Sequence, residues 1–346
     1  MNNHRVIDTY SNEINIDGFK IKIDDFTKEG ILPGYFNSPL IGQWEITREC
    51  NLRCIFCYNN SGEKLPNELT HKQKINVAKQ IVKEKIYRIC ISGGEPILCE
   101  SFWDIAKILK QGKIFCSTIT NGWYVSEENA SLYAKYFKNI QISLDGRKKE
   151  THDKLRGKKG SWERAVNACK LIKDNVGKIS IATVVSPINL LEIEEVIDFA
   201  YSLGAIDIRF DEVIFTGRAS NRDNNISLSE KQSYELVKII KHKKNEYNEK
   251  LFYIDIVPKT QYSYVRGFAK IPPVSIFISP TGTCSIDPVL PFSGGSLKEK
   301  SLKEIWNNLK IIHKNKDFIN YSMKVKIGKD FKNISNIPYA NGELHD

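Results

Sequence analysis

Three of the eight cysteines in this chain of 346 residues lie within "CNLRCIFC", at Cys50, Cys54 and Cys57. Thiolates at such short spacing are typical metal ligands. A structural zinc site usually joins two cysteine pairs, but the sequence has no second pair, and its six histidines show no ligand spacing. Iron–sulfur clusters usually take four thiolates, so three in one loop would leave one iron with an open coordination position. The loop is therefore predicted to hold a metal centre that keeps room for a further ligand.

Short polar motifs follow apolar runs further along the chain. The first is "SGGEP", in which glycines permit a close approach of backbone to a ligand and Glu95 can accept a hydrogen bond from an ammonium group. The remaining candidate binding residues are Gly93, Gly94 and Pro96 of the same motif, Asn121 in "TNG", Ser143 and Asp145 in "ISLDG", and Arg156 in "HDKLRGKKGSW". Arg156 is also compatible with an ordinary surface loop.

Regular elements must position these motifs, and residues 43–245 alternate strand-like apolar runs with helical periods. Six predicted strands, rich in isoleucine and valine, cover residues 43–47, 87–92, 114–120, 139–144, 178–185 and 206–213. Six predicted helices cover about 70–85, 102–111, 126–136, 161–175, 190–203 and 227–246. This alternation favours parallel strands with right-handed crossovers. We predict an α/β fold, a partial (βα)6 TIM-like barrel, with a doubly wound sheet as the alternative; either gathers ligands at the carboxyl ends of the strands.

The pattern changes on both sides of this region. Residues 1–40 are predicted to be a polar lead-in of extended character, and residues 41–248 to form the barrel. Residues 249–346 contain short β-like runs, the helical period "SLKEIWNNLK" and a tail rich in lysine and asparagine. They are predicted to form a small C-terminal α+β extension.

The formal net charge of the chain is +10. Its lysines are dispersed over predicted helix faces among glutamate and apolar residues, which favours solvated surfaces over a nucleic-acid site. A positive surface would still steer an acidic partner, such as an acidic peptide, towards the protein. No run reaches the about 20 apolar residues of a membrane span, and the N-terminus lacks the apolar core of a signal peptide. We expect a cytoplasmic protein with no membrane contact.

The cysteine loop, with the aromatic Phe56 just before its last cysteine, resembles the C-x3-C-x2-C loop of the radical S-adenosylmethionine (SAM) enzymes. The resemblance implies that Cys50, Cys54 and Cys57 bind one 4Fe–4S cluster, whose fourth iron binds the methionine amino and carboxylate groups of SAM. It also implies reductive cleavage of SAM to methionine and a 5′-deoxyadenosyl radical, which abstracts hydrogen from a substrate. An external electron donor such as flavodoxin or ferredoxin is expected.

The later motifs resemble the same family, in the same order. "SGGEP" is similar to the GGEP motif of the family, which implies that Glu95 holds the SAM amino group. Ser143 and Asp145 resemble polar positions near the SAM ribose or carboxylate, and Arg156 resembles the arginine that pairs with that carboxylate. The resemblance covers roughly residues 40–310.

Three motifs resemble the branch of this family that has a C-terminal SPASM or twitch extension. They are "ISLDG", "HDKLRGKKGSW" and "FISPTGTCSIDP". That branch includes peptide and protein maturases, which implies a ribosomally synthesised peptide as substrate, with epimerisation or crosslinking as the outcome. Only about 40 residues precede the predicted barrel, so a leader peptide is expected to bind the barrel, the extension or a separate protein. A small-molecule substrate, such as a sugar or aminoglycoside, and a non-catalytic iron–sulfur redox or scaffold protein are the alternatives.

A SPASM extension normally carries seven cysteines, but Cys284 is the only cysteine after Cys169. A second cluster is therefore not expected. Three interpretations of Cys284 stay open: a packed small hydrophobe, a hydrogen donor that quenches a substrate radical in an epimerase, or a metal ligand. Cys90, Cys116 and Cys169 lie in apolar runs and are predicted to be buried core residues.

Overall fold

The computed structural model of the protein describes residues 7–8, 13–16, 19–22, 36–221, 226–247, 252–257 and 272–324. Within the predicted lead-in, three strands form an antiparallel sheet of their own: β1 (Ile7–Asp8), β2 (Glu13–Ile16) and β3 (Phe19–Lys22).

The main sheet has ten described strands. Seven follow one another in chain order and pair in parallel: β4 (Ile41–Glu45), β5 (Arg88–Ser92), β6 (Phe115–Thr120), β7 (Asn139–Ser143), β8 (Ile179–Val185), β9 (Asp207–Glu212) and β10 (Tyr253–Val257). On the other side of β4 lie β11 (Ser275–Ile278), parallel to it, and then the antiparallel β12 (Thr283–Ser285) and β13 (Ser293–Ser296). The predicted α/β fold with a parallel, barrel-like sheet is confirmed.

Helices connect these strands and cover one face of the sheet. The described helices are α1 (His71–Lys83), α2 (Phe102–Gln111), α3 (Glu127–Tyr136), α4 (Lys149–Arg156), α5 (Ser161–Asp174), α6 (Ile193–Ser202), α7 (Glu230–Glu246), α8 (Leu302–His313) and α9 (Lys316–Lys324). Helices α1, α7 and α8 begin at capping boxes, in which Thr70, Ser229 and Ser301 exchange hydrogen bonds with the third helical residue.

The core lies between the strands and the helices. Trp44, Ile89, Ile140 and Ile181 occupy alternate positions of their strands and have no exposed surface. Because side chains alternate across a strand, the intervening positions face the inside of the curved sheet. Those positions are largely polar, as in the hydrogen bond of 3.1 Å from Gln43 Nε2 to Ser92 Oγ.

Three elements differ from the sequence prediction. Helix α4 forms in the stretch that had no assigned element, and α9 begins in the predicted tail. Strand β10 pairs with β9 beyond residue 248, so the sheet is continuous across the predicted domain boundary, which stays a prediction. None of the described helices combines the length and the apolar character that crossing a membrane requires.

Candidate active site at the carboxyl ends of the parallel strands

The cysteine loop begins directly after β4 and is held by backbone hydrogen bonds on both sides. Cys50 N–H donates to Gly62 O at 2.9 Å, and Ile55 N–H donates to Leu155 O, at the end of α4, at 2.9 Å. Arg218 holds the middle of the loop, since its Nη1 donates to Cys54 O at 2.9 Å and its Nη2 donates to Ser61 O at 2.6 Å. Arg218 was not identified from the sequence, although "FTGRA" closely follows the sixth predicted strand.

Each of the three thiols has a polar neighbour. Leu52 N–H lies 3.5 Å from Cys50 Sγ, Arg156 Nη1 lies 3.9 Å from Cys54 Sγ, and Ser61 N–H donates to Cys57 Sγ at 3.3 Å. Hydrogen-bond donors stabilise sulfur in its thiolate form, the form that binds metal.

The metal-free loop opposes thiolate formation. Burial raises the pKa of the Cys50 thiol to about 12, against the Leu52 N–H, which lowers it. Burial also raises the pKa of Cys54, against the Arg156 guanidinium, which lowers it. Among the described residues, no three His, Cys, Asp or Glu side chains converge on a point that could hold a single metal ion.

The glycine pair of "SGGEP" packs against the start of the cysteine loop. Gly94 N–H donates to Thr47 O at 2.8 Å, and Glu95 N–H donates to Glu49 O at 2.8 Å. A Cβ atom on Gly94 would lie 2.1 Å from Glu49 O, and one on Gly93, whose φ is +145°, would lie 2.4 Å from Thr47 O. These contacts require glycine, because any side chain would push the cysteine loop away from β5.

Glu95 is buried and bonded to the end of β6. Its Oε1 accepts from Thr120 Oγ1 at 2.7 Å and its Oε2 accepts from Asn121 N–H at 2.8 Å. Burial raises the pKa of Glu95 to about 7, against the lowering effect of these hydrogen bonds. Pro96 then begins a short 3-10 helix, Pro96–Leu98.

Asn121 reaches from β6 to the cysteine loop. Its Nδ2 donates to Asn51 Oδ1 at 2.9 Å and lies 4.0 Å from Cys50 Sγ. The Nδ2 of Asn51 is buried and has no hydrogen-bond partner among the described residues. A buried donor without a partner beside Cys50 is suited to a polar ligand at this position.

Asp145 and Arg156 form a buried ion pair beside the loop. Arg156 Nε lies 2.5 Å from Asp145 Oδ2, and its Nη2 donates to Asp145 Oδ1 at 2.9 Å. The guanidinium also lies 5.2 Å from the centre of the Phe56 ring. Burial opposes the positive charge of Arg156, but Asp145 and Cys54 outweigh it, so the pKa of Arg156 is raised. The surface-loop interpretation of Arg156 is wrong, because it ends α4 and is buried.

Two further groups hold Asp145 in place, and neither was identified from the sequence. Asp145 N–H donates to His152 Nδ1 at 3.0 Å, and Asn189 Nδ2 donates to Asp145 O at 2.7 Å. Ser143, the other candidate of this motif, is buried at the end of β7.

Residues 44–200 match the family model described as the radical SAM superfamily. Residues 44–200 are a radical SAM domain. Radical SAM domains use a 4Fe–4S cluster and SAM. The three partnered thiols and the unpartnered Asn51 Nδ2 fit such a site, since the donor set suits thiolates and one polar donor stays available.

The relatives of this radical SAM chain include a mycofactocin maturase from Mycobacterium tuberculosis, 29% identical over 187 residues that cover 54% of this chain and 47% of that protein. They also include an AdoMet-dependent heme synthase from Methanosarcina barkeri, 26% identical, with coverage of 81% and 86%. The crystal structure of Streptococcus suis SuiB bound to its precursor peptide SuiA has the same fold, with a TM-score of 0.68, 15% identity and coverage of 91% and 79%. The chain spans about half the length of the mycofactocin maturase.

The cysteines outside the radical SAM loop have different surroundings. Cys116 and Cys169 are buried, as predicted, whereas Cys90 is half-buried on the inner side of the sheet. Cys284 on β12 is fully buried in the core, and its Sγ lies 3.5 Å from Gly282 O. Its burial in the core favours a packing role for Cys284 over hydrogen donation. The role of Cys284 stays a prediction.

Proposed function

We propose that this protein is a radical SAM enzyme that modifies a ribosomally synthesised peptide by epimerisation or crosslinking. One observation carries the proposal. The three-cysteine loop, the glycine turn before Glu95, Asn121 and the Asp145–Arg156 pair gather at the carboxyl ends of neighbouring parallel strands. A 4Fe–4S cluster and SAM held by these residues would supply the electron and the radical chemistry that removes a hydrogen atom from a substrate.

The residues of this chain have separate proposed roles. Cys50, Cys54 and Cys57 would hold the cluster. The residues proposed to surround SAM are Phe56, Gly93, Gly94, Glu95, Pro96, Asn121, Ser143, Asp145 and Arg156. The glycines keep the turn after β5 in contact with the loop, and burial around the Asp145–Arg156 pair excludes water from that side of the site.

The peptide substrate is supported by the names of several relatives. They include the mycofactocin maturase and a sporulation killing factor maturation protein from Bacillus subtilis, 29% identical over 192 residues. The net charge of +10 would favour a peptide with an acidic leader through long-range attraction.

A small-molecule substrate is the second candidate, because the likeness to the heme synthase extends over most of both chains. Under this alternative the same site would act on a tetrapyrrole rather than on a peptide. Product analysis separates the two candidates.

The proposed electron donor is a small acidic protein such as flavodoxin or ferredoxin. Basic side chains lie beside the cysteine loop: Arg53 is exposed within it, and Lys158 Nζ lies 3.3 Å from Asn51 O. Opposite charges would guide such a donor towards the loop at low ionic strength.

The proposal is tested with protein purified and reconstituted without oxygen. We expect about four irons per chain, 5′-deoxyadenosine after reduction with dithionite, and a modified product when candidate precursor peptides are added. In deuterated water, epimerisation adds solvent-derived deuterium, whereas crosslinking removes two hydrogens from the peptide.

The matched control is Cys169→Ala, which removes a buried thiol on α5, outside the loop, and should keep both iron and SAM cleavage. The variant with Cys50, Cys54 and Cys57 all changed to Ala should lose both. Four irons with no 5′-deoxyadenosine, in the presence of the peptides and of tetrapyrroles, would overturn the enzymatic proposal. Haem formation without peptide modification would show that the substrate is a tetrapyrrole and not a peptide.

A further inference from the structure

Outside the cysteine loop, Lys74 and Glu68 are buried together, and Cys99 lies in contact with Lys74. Lys74 on α1 has a side chain that is 3% exposed, and the side chain of Glu68 is 1% exposed. Lys74 Nζ lies 3.3 Å from Cys99 Sγ and 3.7 Å from Glu68 Oε2. A buried lysine normally needs a compensating charge, and Glu68 supplies it here. The direct contact of the same amine with a buried thiol is unusual in a protein core.

The two oxygens of Glu68 have different surroundings. Oε1 accepts hydrogen bonds from Arg48 N–H at 2.7 Å and from Leu65 N–H at 3.2 Å, so it holds the start of the cysteine loop. Oε2 is buried and has no hydrogen-bond partner among the described residues. Oε2 is therefore available to receive a proton from Lys74.

We propose that Lys74 and Cys99 are a site of oxidative modification, at which dioxygen links Nζ to Sγ through one bridging oxygen atom. The carboxylate of Glu68 accepts the proton that the Lys74 ammonium must release. The N–O and S–O bonds then form as the S–H bond and one remaining N–H bond break. The second oxygen atom leaves as water.

The electrons of this step balance. Nitrogen and sulfur each lose two electrons, and dioxygen gains the four that convert its atoms into a bridging oxygen and a water. No cofactor is needed, so the reaction is independent of the proposed enzymatic function.

The modification would reach the cysteine loop through Glu68. A bridged Lys74 nitrogen no longer carries a positive charge, and Glu68, which has taken up the lysine proton, no longer carries a negative one, so the buried ion pair is lost. A neutral carboxyl group accepts hydrogen bonds more weakly than a carboxylate. Because Glu68 Oε1 binds Arg48 N–H, the segment that leads into Cys50 is then held less firmly.

Two other buried thiols have different neighbours. Cys116 Sγ lies 3.8 Å from Ser117 O, and Cys284 Sγ lies 3.5 Å from Gly282 O. These contacts are to carbonyl oxygens, which offer no nitrogen for a bridge.

The test exposes full-length protein, first purified without oxygen, to air and then measures intact mass. We expect a gain of about 14 Da, one oxygen gained and two hydrogens lost, rather than the about 16 Da of a sulfenic acid. After digestion at glutamate, in which the Glu95–Pro96 bond resists cleavage, fragments 69–84 and 85–100 should be linked. Fragmentation spectra should place the link at Lys74 and Cys99. Dithiothreitol should remove it.

Lys74→Arg keeps a cation beside Glu68 but should lose the link, as should Cys99→Ser. Cys116→Ala, the matched control, should keep it. If a variant does not fold, the fragment analysis of the air-exposed wild-type protein still shows whether Lys74 and Cys99 are linked. Air-exposed wild type with unlinked fragments, or with Cys99 carrying only added oxygen, overturns the proposal.

Discussion

Arg156 and Asp145 form an ion pair with 2.5 Å between Nε and Oδ2, and both residues are buried. Neither side chain could be left alone at this place, because the remaining charge would have no partner. The pair joins α4 to the end of β7 and fixes the side of the site that contains Cys54.

Asp145→Asn should destabilise the protein by about 3–5 kcal/mol, the usual cost of breaking a buried ion pair. Denaturant unfolding of the metal-free protein measures this loss. Asp104→Asn is the control, because Asp104 Oδ2 lies 3.9 Å from His71 Nε2, both side chains are largely exposed, and such surface pairs contribute about 0–1 kcal/mol. Equal losses in the two variants would contradict the buried role of Asp145.

Arg156→Gln should make the midpoint potential of the reconstituted cluster more negative. Its guanidinium lies 3.9 Å from Cys54 Sγ, and a nearby cation stabilises the added electron of the reduced state. A redox titration followed by electron paramagnetic resonance measures the potential. Arg156→Lys, which keeps the charge, should restore most of it, and an unchanged potential in Arg156→Gln would rule out the electrostatic effect.

Stability should fall as the pH is lowered below the ordinary pKa of histidine, because His152 is buried in its neutral form. Burial lowers its pKa from 6.5 to about 4, so the unfolded chain binds more protons than the folded one between these values. The free energy of unfolding should therefore fall by about 2 kcal/mol as the pH is lowered from 6.5 to about 5. His152→Asn keeps an acceptor for Asp145 N–H but does not titrate.

Urea unfolding of the wild type and of His152→Asn across this pH range measures the difference. The pH dependence should be shallower in the variant. Parallel curves would show that another group carries the acid sensitivity.

Gly94→Ala should prevent assembly of the cluster site. Its Cβ would lie 2.1 Å from Glu49 O, a backbone atom that cannot move without the cysteine loop, at a cost of about 1–3 kcal/mol. Iron content after reconstitution and thermal unfolding measure the effect. Gly62→Ala is the control in the same loop, because its Cβ meets only the flexible Arg53 side chain at 3.0 Å. Full iron content in Gly94→Ala would contradict the close approach.

Cys284→Ala should lower stability by about 1 kcal/mol and leave peptide modification intact, because the thiol is packed in the core. Product chirality and 5′-deoxyadenosine are measured together. Loss of the epimerised product with unchanged SAM cleavage would restore the hydrogen-donor interpretation.

The order of the strands and the place of the motifs follow from short-range patterns, and for this reason the sequence predicted them well. Ile89 and Ile91 alternate within an apolar run, and the loop after β4 contains the only closely spaced cysteines. The partners of Glu95 and Arg156 could not be predicted, because Thr120 and Asp145 approach them only through tertiary packing. Helix α4 was missed because its eight residues contain a single apolar side chain, Leu155, and one such residue cannot show an apolar helical period.

Strand β11 pairs with β4, and this pairing constrains the order of events during synthesis. Ile41 and Ser275 are partners although nearly the whole domain separates them in the chain. Closing so long a loop is slow relative to pairing neighbouring strands. Strand β4 therefore keeps one unpaired edge on the ribosome until residues 275–278 emerge. The cysteine loop that follows it is held by Arg218, so it should reach its final form, and accept iron, only after residue 218 has been translated.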